Sequence, residues 1–522
     1  MPVCVRRARD LRAAVGRAAE VADIVELRLD CLADDEQLAA AHGELNALLN
    51  DRPCPFIYTL RAPAQGGQRP LTDDARIRFW RDCQDRWQRG VPHPDYADIE
   101  LDLLETAQAD VWPIADSPRP ALICSHHDFD GVPADLSAIY ERMTRTPARV
   151  LKIAVRATEI TDCLPVLGLL ARARREGREM IAVAMGAAGL LTRILAPARG
   201  AFLTYGALDD NQATAPGQIT GTELRDLYRV HALDAQTDVF GLVGLPVVHS
   251  LSPHMHNAAF AARGLNAAYV PLETRDAAAF LRRMAHSRTR ELDLRLRGLS
   301  VTAPHKQAVM PHLDHIAPAA REIGAVNTIV VAGDELHGHN TDADAAIAPL
   351  TGVLKLKDAR VAVIGAGGAA RALLWGLQRA GARVTVYARD VARARVVAGR
   401  FGADCAALAL ARFAGCDLVV NATPLGTHSH AAAETPANAT QLGGARVAYD
   451  LVYNPRETRF MRAARAAGCA LVLNGLPMLV AQAAAQFHLW TGQIAPLEVM
   501  RAAAERQLPD ANGDAGARGL SE

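Results

Sequence analysis

Two groups of residues in this chain have types and spacings that an ordinary fold does not need. The first lies around VLKIAV, residues 150–155, where Lys152 stands among five apolar residues just after Arg145, Thr146 and Pro147. An ammonium buried there is costly unless it is paired or loses its proton. Taken alone, such a lysine reads first as an edge residue whose head reaches water. Its company alters that reading. His127 lies on a neighbouring apolar run, and Arg28 and Arg61 stand at the ends of two others. Desolvation and nearby cations are both expected to lower the amine's pKa. A neutral amine attacks a ketone to give an imine, the protonated imine accepts electrons from an adjacent carbanion, and His127 would move the protons. A satisfied core histidine is the bland reading of His127. His126 should face the other way, because strand side chains alternate.

The second group lies beyond residue 300. Lys306 follows an apolar run and has the chemistry to donate to a developing alkoxide, with Asp342 as its partner, although each taken singly reads as a solvated charge. GAGGAA at 365–370 is a GxGxxA turn with Gly365, Gly367 and Ala370, set between the run VAVI and a helical stretch. Its glycines let backbone approach a pyrophosphate, and the helix start favours an anion. An ordinary tight turn is the alternative. A dinucleotide site would make the chemistry hydride transfer.

The elements that must position these residues are legible as runs. Up to residue 207 there are eight: 3–5, 24–30, 55–61, 96–101, 121–129, 149–155, 180–186 and 201–207. Continuous apolar runs alternating with helical segments indicate a parallel sheet covered on both faces. Eight such units predict an α/β fold with an N-terminal (β/α)8 barrel, a doubly wound open sheet being the alternative. Glu26, Arg28, Arg61, Glu100, His127 and Lys152 sit within these runs or at their C-terminal ends, where a barrel gathers its active site.

At 522 residues the chain has room for two to four domains. Lys plus Arg equals Asp plus Glu at 57 each, so there is no bulk basic field for nucleic acid or membrane, and a small-molecule partner is expected. Nine cysteines, an odd number without a CxxC pair, argue against a metal site and a disulfide framework and for a reducing cytoplasm. The N-terminal stretch has arginines but no apolar core, so it does not read as a secretory signal. Residues 470–490 carry no formal charge, but Asn474, Pro477, Gln482, Gln486 and His488 interrupt them, which predicts a strand and a buried helix rather than a membrane span. The tail 509–522 reads as disordered.

ELRLD at 26–30, YTLR at 58–61, HDF at 127–129, KIAV at 152–155 and APGQI at 215–219 together resemble a type I 3-dehydroquinate dehydratase across residues 1–232. The resemblance implies a Schiff base on Lys152 and proton transfers by His127. It implies that Glu26, Arg28 and Arg61 meet the hydroxyl side of the substrate, and that Arg193, Thr214 and Gln218 meet its carboxylate side. Thr214 stands where the family usually has Ser. The family also usually has Glu at the place of Gln65, and a glutamine can hydrogen-bond an imidazole but cannot balance its charge.

HSLSPHMHN, VTAPHK, GAVNT, NTD, GAGGAARA, NATPLG, YNP and GLPMLVAQAA, spread over 249–484, resemble a shikimate dehydrogenase. That resemblance implies carboxylate binding by Ser250, Ser252 and Thr302, a catalytic pair of Lys306 and Asp342, and Asn327, Tyr453 and Gln482 in the pocket. Ser300 departs from the family's frequent Asn, and Pro477 from its usual Gly. The cofactor implied is NADP, held by Gly365, Gly367, Gly368, Ala370, Asn421, Thr423 and Gly475. Arg389 and Arg393 match the arginines of the family's NRTxxRA run. Asp390 beside them is either a ribose ligand, as in NAD sites, or a helix cap.

The implied domains are 1–232, then 238–350 completed by 475–505, with a Rossmann-like 355–474 inserted. The whole resembles the bifunctional fusions that convert 3-dehydroquinate to 3-dehydroshikimate and then to shikimate. The alternatives are a metabolite sensor derived from these domains, a quinate/shikimate dehydrogenase with a weakened dehydratase half, and a lysine aldolase barrel fused to a quinate dehydrogenase.

Overall fold

The structure, a computed structural model, describes residues 1–112, 119–427 and 432–508, so the expected disordered tail lies outside the described residues. The chain forms two compact units, Met1–Thr237 with Leu272–Thr274, and Asp238–Pro271 with the chain from Arg275 onward.

Among the described residues the first unit holds seven parallel strands: β1 (Pro2–Val3), β2 (Val25–Arg28), β3 (Phe56–Thr59), β4 (Tyr96–Glu100), β5 (Ala121–Asp128), β6 (Val150–Arg156) and β7 (Glu179–Met185). Each pairs with its neighbour in sequence. Helices such as Asp35–Asn50 and Asp73–Gln88 link them, their first turns capped by Asp34 and Thr72. The strand period of two sorts the inward side chains into layers. Ile57, Ile123, Val150 and Ile181 form an apolar floor. Thr59, Ser125 and Lys152 come two residues later, and Arg61 and His127 two later again. The sheet is curled. β2 and β6 are four strand steps apart, about 19 Å in a flat sheet, yet the Glu26 carboxylate lies 3.4 Å from the Lys152 ammonium.

Two expectations need correction. The run 201–207 is not a regular eighth strand. It pairs with β7 through Phe202 N and Met180 O and makes one isolated bridge, Ala207 to Thr220. The reason lies in Arg193, whose buried guanidinium takes the Tyr205 carbonyl while the Thr204 hydroxyl donates to the Arg193 carbonyl. Cysteine pairing also occurs: Cys4 and Cys31 form a disulfide, and seven other cysteines are free. The pairing of β1 with β2 brings these two together across 27 residues, a contact that spacing alone does not reveal.

Among the described residues the second unit contains two six-stranded sheets. The first comprises β8 (Asp238–Gly244), β9 (Ala267–Glu273), β10 (Leu296–Val301), β11 (His315–Ile316), β12 (Thr328–Ala332) and β13 (Glu335–His339), in the order 11-13-12-10-8-9. Phe240, Phe260 and Tyr269 pack there against Phe487 and Met500 from the late helices Leu476–Thr491 and Leu497–Glu505. The chain therefore returns to this sheet after the other is complete. The other comprises β14 (Arg360–Ile364), β15 (Arg383–Ala388), β16 (Asp404–Ala407), β17 (Leu418–Asn421), β18 (Val447–Asp450) and β19 (Leu471–Leu473). All pairs in it are parallel and the order 16-15-14-17-18-19 is that of a doubly wound dinucleotide fold. The uncharged run 470–490 becomes β19 and the helix Leu476–Thr491, and no helix among the described residues is long and apolar enough to cross a membrane.

Candidate active site

Inside the curled sheet Lys152 is 5% exposed. Its ammonium lies 2.8 Å from Asp98 and 3.4 Å from Glu26, and 4.6 Å from the centroid of the Tyr205 ring. The expected depressed amine is not what this arrangement produces. Burial pulls the Lys152 pKa down, but Asp98 and Glu26 overturn that effect and hold it above the ordinary lysine value. Arg61, the cation expected to help, is itself matched, 2.8 Å from Asp98 and 3.4 Å from Glu100. The Arg61 guanidinium also donates to the Ser125 hydroxyl at 2.6 Å, and that hydroxyl donates to Asp98 at 2.6 Å. Arg28 forks onto Asp30 at 2.9 and 2.8 Å. Glu26 accepts from Thr59 at 2.8 Å.

His127 is held differently. Burial first, then Arg61 and Lys152, keep its pKa well below the ordinary imidazole value, so it is neutral and able to accept a proton. The Gln65 side-chain oxygen accepts from its backbone N–H at 3.1 Å and lies 3.3 Å from ring Nδ1. His126 faces the other way, as alternation requires: its charged neighbours include Asp128, Arg142 and Asp135.

Arg193 is buried with no carboxylate partner among the described residues, and burial pushes its pKa down to about 10. Among the described residues its guanidinium donates to two carbonyls, those of Tyr205 at 3.4 Å and Pro216 at 3.3 Å. The Gln218 side-chain oxygen accepts from Thr214 N at 2.8 Å and from the Thr214 hydroxyl at 3.2 Å, which closes the APGQI turn around Pro216. A buried guanidinium lacking a counter-charge is an anion site in waiting.

In the second unit Lys306 and Asp342 meet at 2.5 Å. Asn327 donates to the other Asp342 oxygen at 2.8 Å and to the Thr341 hydroxyl at 2.9 Å, so the carboxylate is fixed from both sides. Thr302 shares a turn with Lys306 through His305 N and Thr302 O. Ser250 and Ser252 lie on the segment after β8, with Ser252 N donating to the Ser250 hydroxyl at 3.2 Å. Tyr453 packs against the core that the late helices complete, and Gln482 is buried on one of them. Ser300 donates to Gln486 at 2.8 Å, and Gln486 in turn donates to the Asn327 carbonyl at 3.1 Å. Pro477 sits in the first turn of its helix, where a proline lacks nothing.

The glycine turn lies where the strand order reverses, between β14 and β17. Gly365 has φ +113°, and a β-carbon there would stand 2.9 Å from the Thr423 methyl. Gly367 precedes the helix Gly368–Arg379, in which Ala370 is fully buried. The Lys306 stem passes Gly368, its Cδ 3.2 Å from where a β-carbon would be. Asn421 binds Asp450 at 2.9 Å and accepts from the Thr423 hydroxyl at 2.6 Å. Gly475 touches backbone, since a β-carbon would fall 2.1 Å from the Leu451 carbonyl oxygen. Asp390 accepts from Arg393 N at 3.0 Å, which makes it the cap of the helix Val391–Arg400. Neither the Arg389 nor the Arg393 guanidinium has a carboxylate partner among the described residues.

Residues 1–234 match the type I 3-dehydroquinase family, 242–329 the shikimate dehydrogenase substrate binding domain and 475–505 the shikimate 5'-dehydrogenase C-terminal domain. Residues 360–442 match the family described as NADP oxidoreductase coenzyme F420-dependent. The bifunctional 3-dehydroquinate dehydratase/shikimate dehydrogenase of Arabidopsis thaliana is 33% identical over 92% of this chain and 79% of its own length. The chain belongs to the bifunctional 3-dehydroquinate dehydratase/shikimate dehydrogenase family. The NADP(+) shikimate dehydrogenase of Oleidesulfovibrio alaskensis is 43% identical over 51% of this bifunctional chain and 93% of its own length. A solved structure of dehydroquinate dehydratase and shikimate dehydrogenase from S. pombe is 26% identical, covers 97% of each chain and has a TM-score of 0.42.

In this bifunctional enzyme the sequence reading missed several side chains that organise the sites. Asp98 holds both Lys152 and Arg61, yet it lies two residues before Glu100 on the same face of the same strand, so alternation was enough to find it. Asp30, Ser125 and Tyr205 follow from the same period once the barrel is drawn. Gln486 and Asp450 carried no local signal.

Proposed function

We propose that the dehydratase unit works through an imine on Lys152 with His127 as its acid–base group, and the dehydrogenase unit through Lys306 and Asp342 with NADPH. The observation that carries this is a buried amine, paired and enclosed, next to a neutral buried imidazole. Lys152 passes one proton to the neutral His127, Asp98 keeping Arg61 as its counter-ion, and the amine adds to the ketone of 3-dehydroquinate; His127 returns that proton to the departing oxygen, so water is lost and a protonated imine remains. His127 takes the proton from the adjacent carbon while the electron pair moves onto the imine nitrogen. The pair then returns and expels the hydroxyl, which leaves as water with the proton from His127. Hydrolysis of the imine frees Lys152 and 3-dehydroshikimate. Glu26, Arg28 and Arg61 serve the hydroxyl side of the substrate. Arg193, with Thr214 and Gln218, holds the carboxylate, which supplies the missing counter-charge.

In the dehydrogenase unit Ser250, Ser252 and Thr302 hold the substrate carboxylate, with Asn327, Tyr453 and Gln482 around the ring. Lys306 donates a proton to the carbonyl oxygen as it is reduced, and Asp342 orients substrate and lysine. NADPH, when bound, supplies the hydride. Gly365, Gly367, Gly368 and Ala370 would cradle its pyrophosphate, with Asn421, Thr423 and Gly475 alongside. Arg389 and Arg393 would clamp the 2'-phosphate, Asp390 being occupied as a cap. The domain limits that follow are 1–232, 238–350 with 475–505, and 355–474, and the setting assigned is the cytoplasm.

Borohydride trapping tests the first half. Added with 3-dehydroquinate, it is expected to inactivate dehydration and leave the ligand's mass on the peptide carrying Lys152. An adduct on another lysine, or none in a protein that still dehydrates, would refute the assignment.

A further inference from the structure

We infer that Asp102 is a positioning residue for the dehydratase reaction, setting the side-chain orientation of Gln65 and through it the tautomer of His127. The inference rests on the reading of His127 as the base. The Gln65 amide nitrogen donates to the Asp102 carboxylate at 3.3 Å, and its oxygen accepts from His127 N at 3.1 Å. A carboxylate only accepts and a backbone N–H only donates, so these two partners leave the amide one orientation. Its oxygen then lies 3.3 Å from His127 Nδ1 and has nothing to donate. The proton of the neutral ring therefore belongs on Nδ1, and Nε2 is left as the base.

Asp102 is itself anchored. The same oxygen accepts from Leu103 N at 2.9 Å in the first turn of the helix Leu101–Val111, and Arg76 stands 3.7 Å away. This also accounts for glutamine where the family usually has glutamate. A second carboxylate at residue 65 would face Asp102 across 3.3 Å, and one of the two would have to take up a proton or move. Asp102 and Gln65 are a matched pair that does the orienting of a single glutamate without placing charge against the imidazole.

The test uses the full chain with Asp102→Ser, which keeps a hydroxyl for Leu103 N but cannot reach Gln65, and Asp102→Asn, whose side-chain oxygen can still accept from it. Dehydratase kcat, KM and the pH profile of kcat/KM are measured, with the His127 ring followed by 15N NMR and assigned against His127→Asn. Asp102→Ser is expected to lower kcat by about three- to tenfold, a fraction of what a positioned acid–base group supplies, with KM unchanged. Its His127 ring should show mixed tautomers. Asp102→Asn should keep the wild-type rate and the Nδ1–H pattern. Gln65→Glu alone should lose rate and regain it when combined with Asp102→Asn. A wild-type ring protonated on Nε2, or an Asp102→Ser protein unchanged in rate, pH profile and ring pattern, would overturn the positioning role while leaving His127 as base. A His127→Asn protein that still dehydrates would remove the base reading and the inference with it.

Discussion

Arg193 and Lys152 are both buried cations, and their surroundings give them opposite roles. Lys152 rests in an ion pair with Asp98 and Glu26, and in the proposed imine mechanism that matched charge would have to part before the amine could react. Arg193 has no such partner among the described residues, so its buried charge is uncompensated. Its shift from 12.5 to about 10 is worth about 3 kcal/mol against the cation. Arg193→Gln should therefore raise KM for 3-dehydroquinate by at least about tenfold, or about 1.4 kcal/mol, without lowering the stability of the free protein. Kinetics beside denaturant unfolding check both halves of that statement, and a destabilised variant with an unchanged KM would contradict it. On the cofactor side, Arg389 has no carboxylate partner among the described residues, while Asp390 is engaged as a cap. Arg389→Ala should weaken NADPH by about 1.5–3 kcal/mol and NADH little, as for loss of a charge-assisted hydrogen bond. Steady-state kinetics with the two cofactors decide it, equal losses being the contrary result.

Elements explain which parts of this could be read in advance. Glu26, Arg61, His127 and Lys152 were visible because strand period and the C-terminal ends of apolar runs point one way, and the curled sheet brings them together. The charge state of Lys152 was not visible. The sequence shows Arg28 and Arg61 near the strand ends, but only the register and curl of the sheet put Asp98 nearer to the amine than either. The run 201–207 has a strand's composition, yet Arg193 on the preceding helix claims its hydrogen bonds. In the dehydrogenase unit VTAPHK and NTD each ended on the expected residue, whereas the bracing by Gln486 spans 159 residues and left no local trace. β18 makes a prediction of its own. It ends on Asp450, whose pKa burial pushes up to about 6 despite hydrogen bonds from Thr458, Val452 N and Asn421. The folded state thus binds this proton more tightly than the unfolded chain. Its stabilising effect is full below 3.8 and is lost as pH rises through about 6, a change of about 3 kcal/mol. Asp450→Asn should be more stable than wild type above about pH 7, the gap about halved near pH 5 and closing toward about pH 4 in denaturant unfolding. A gap that widens on acidification would show that the carboxylate is favoured in the fold.

At the scale of the whole molecule the two units divide the work by chemistry. The dehydratase needs a nucleophile and a base enclosed in one sheet, and the dehydrogenase needs a proton donor set against a nucleotide turn. Each set of residues is complete within its own unit, so each activity should be removable alone. The decisive measurement is NADPH consumption by the purified chain, followed with 3-dehydroquinate or 3-dehydroshikimate as the starting compound, in wild type and in Lys152→Ala and Lys306→Ala. Wild type should consume NADPH from either compound and form shikimate. Lys152→Ala should consume it from 3-dehydroshikimate only. Lys306→Ala should consume little from either, yet still turn 3-dehydroquinate into 3-dehydroshikimate. NADPH consumption from 3-dehydroquinate by Lys152→Ala at the wild-type rate would contradict the account.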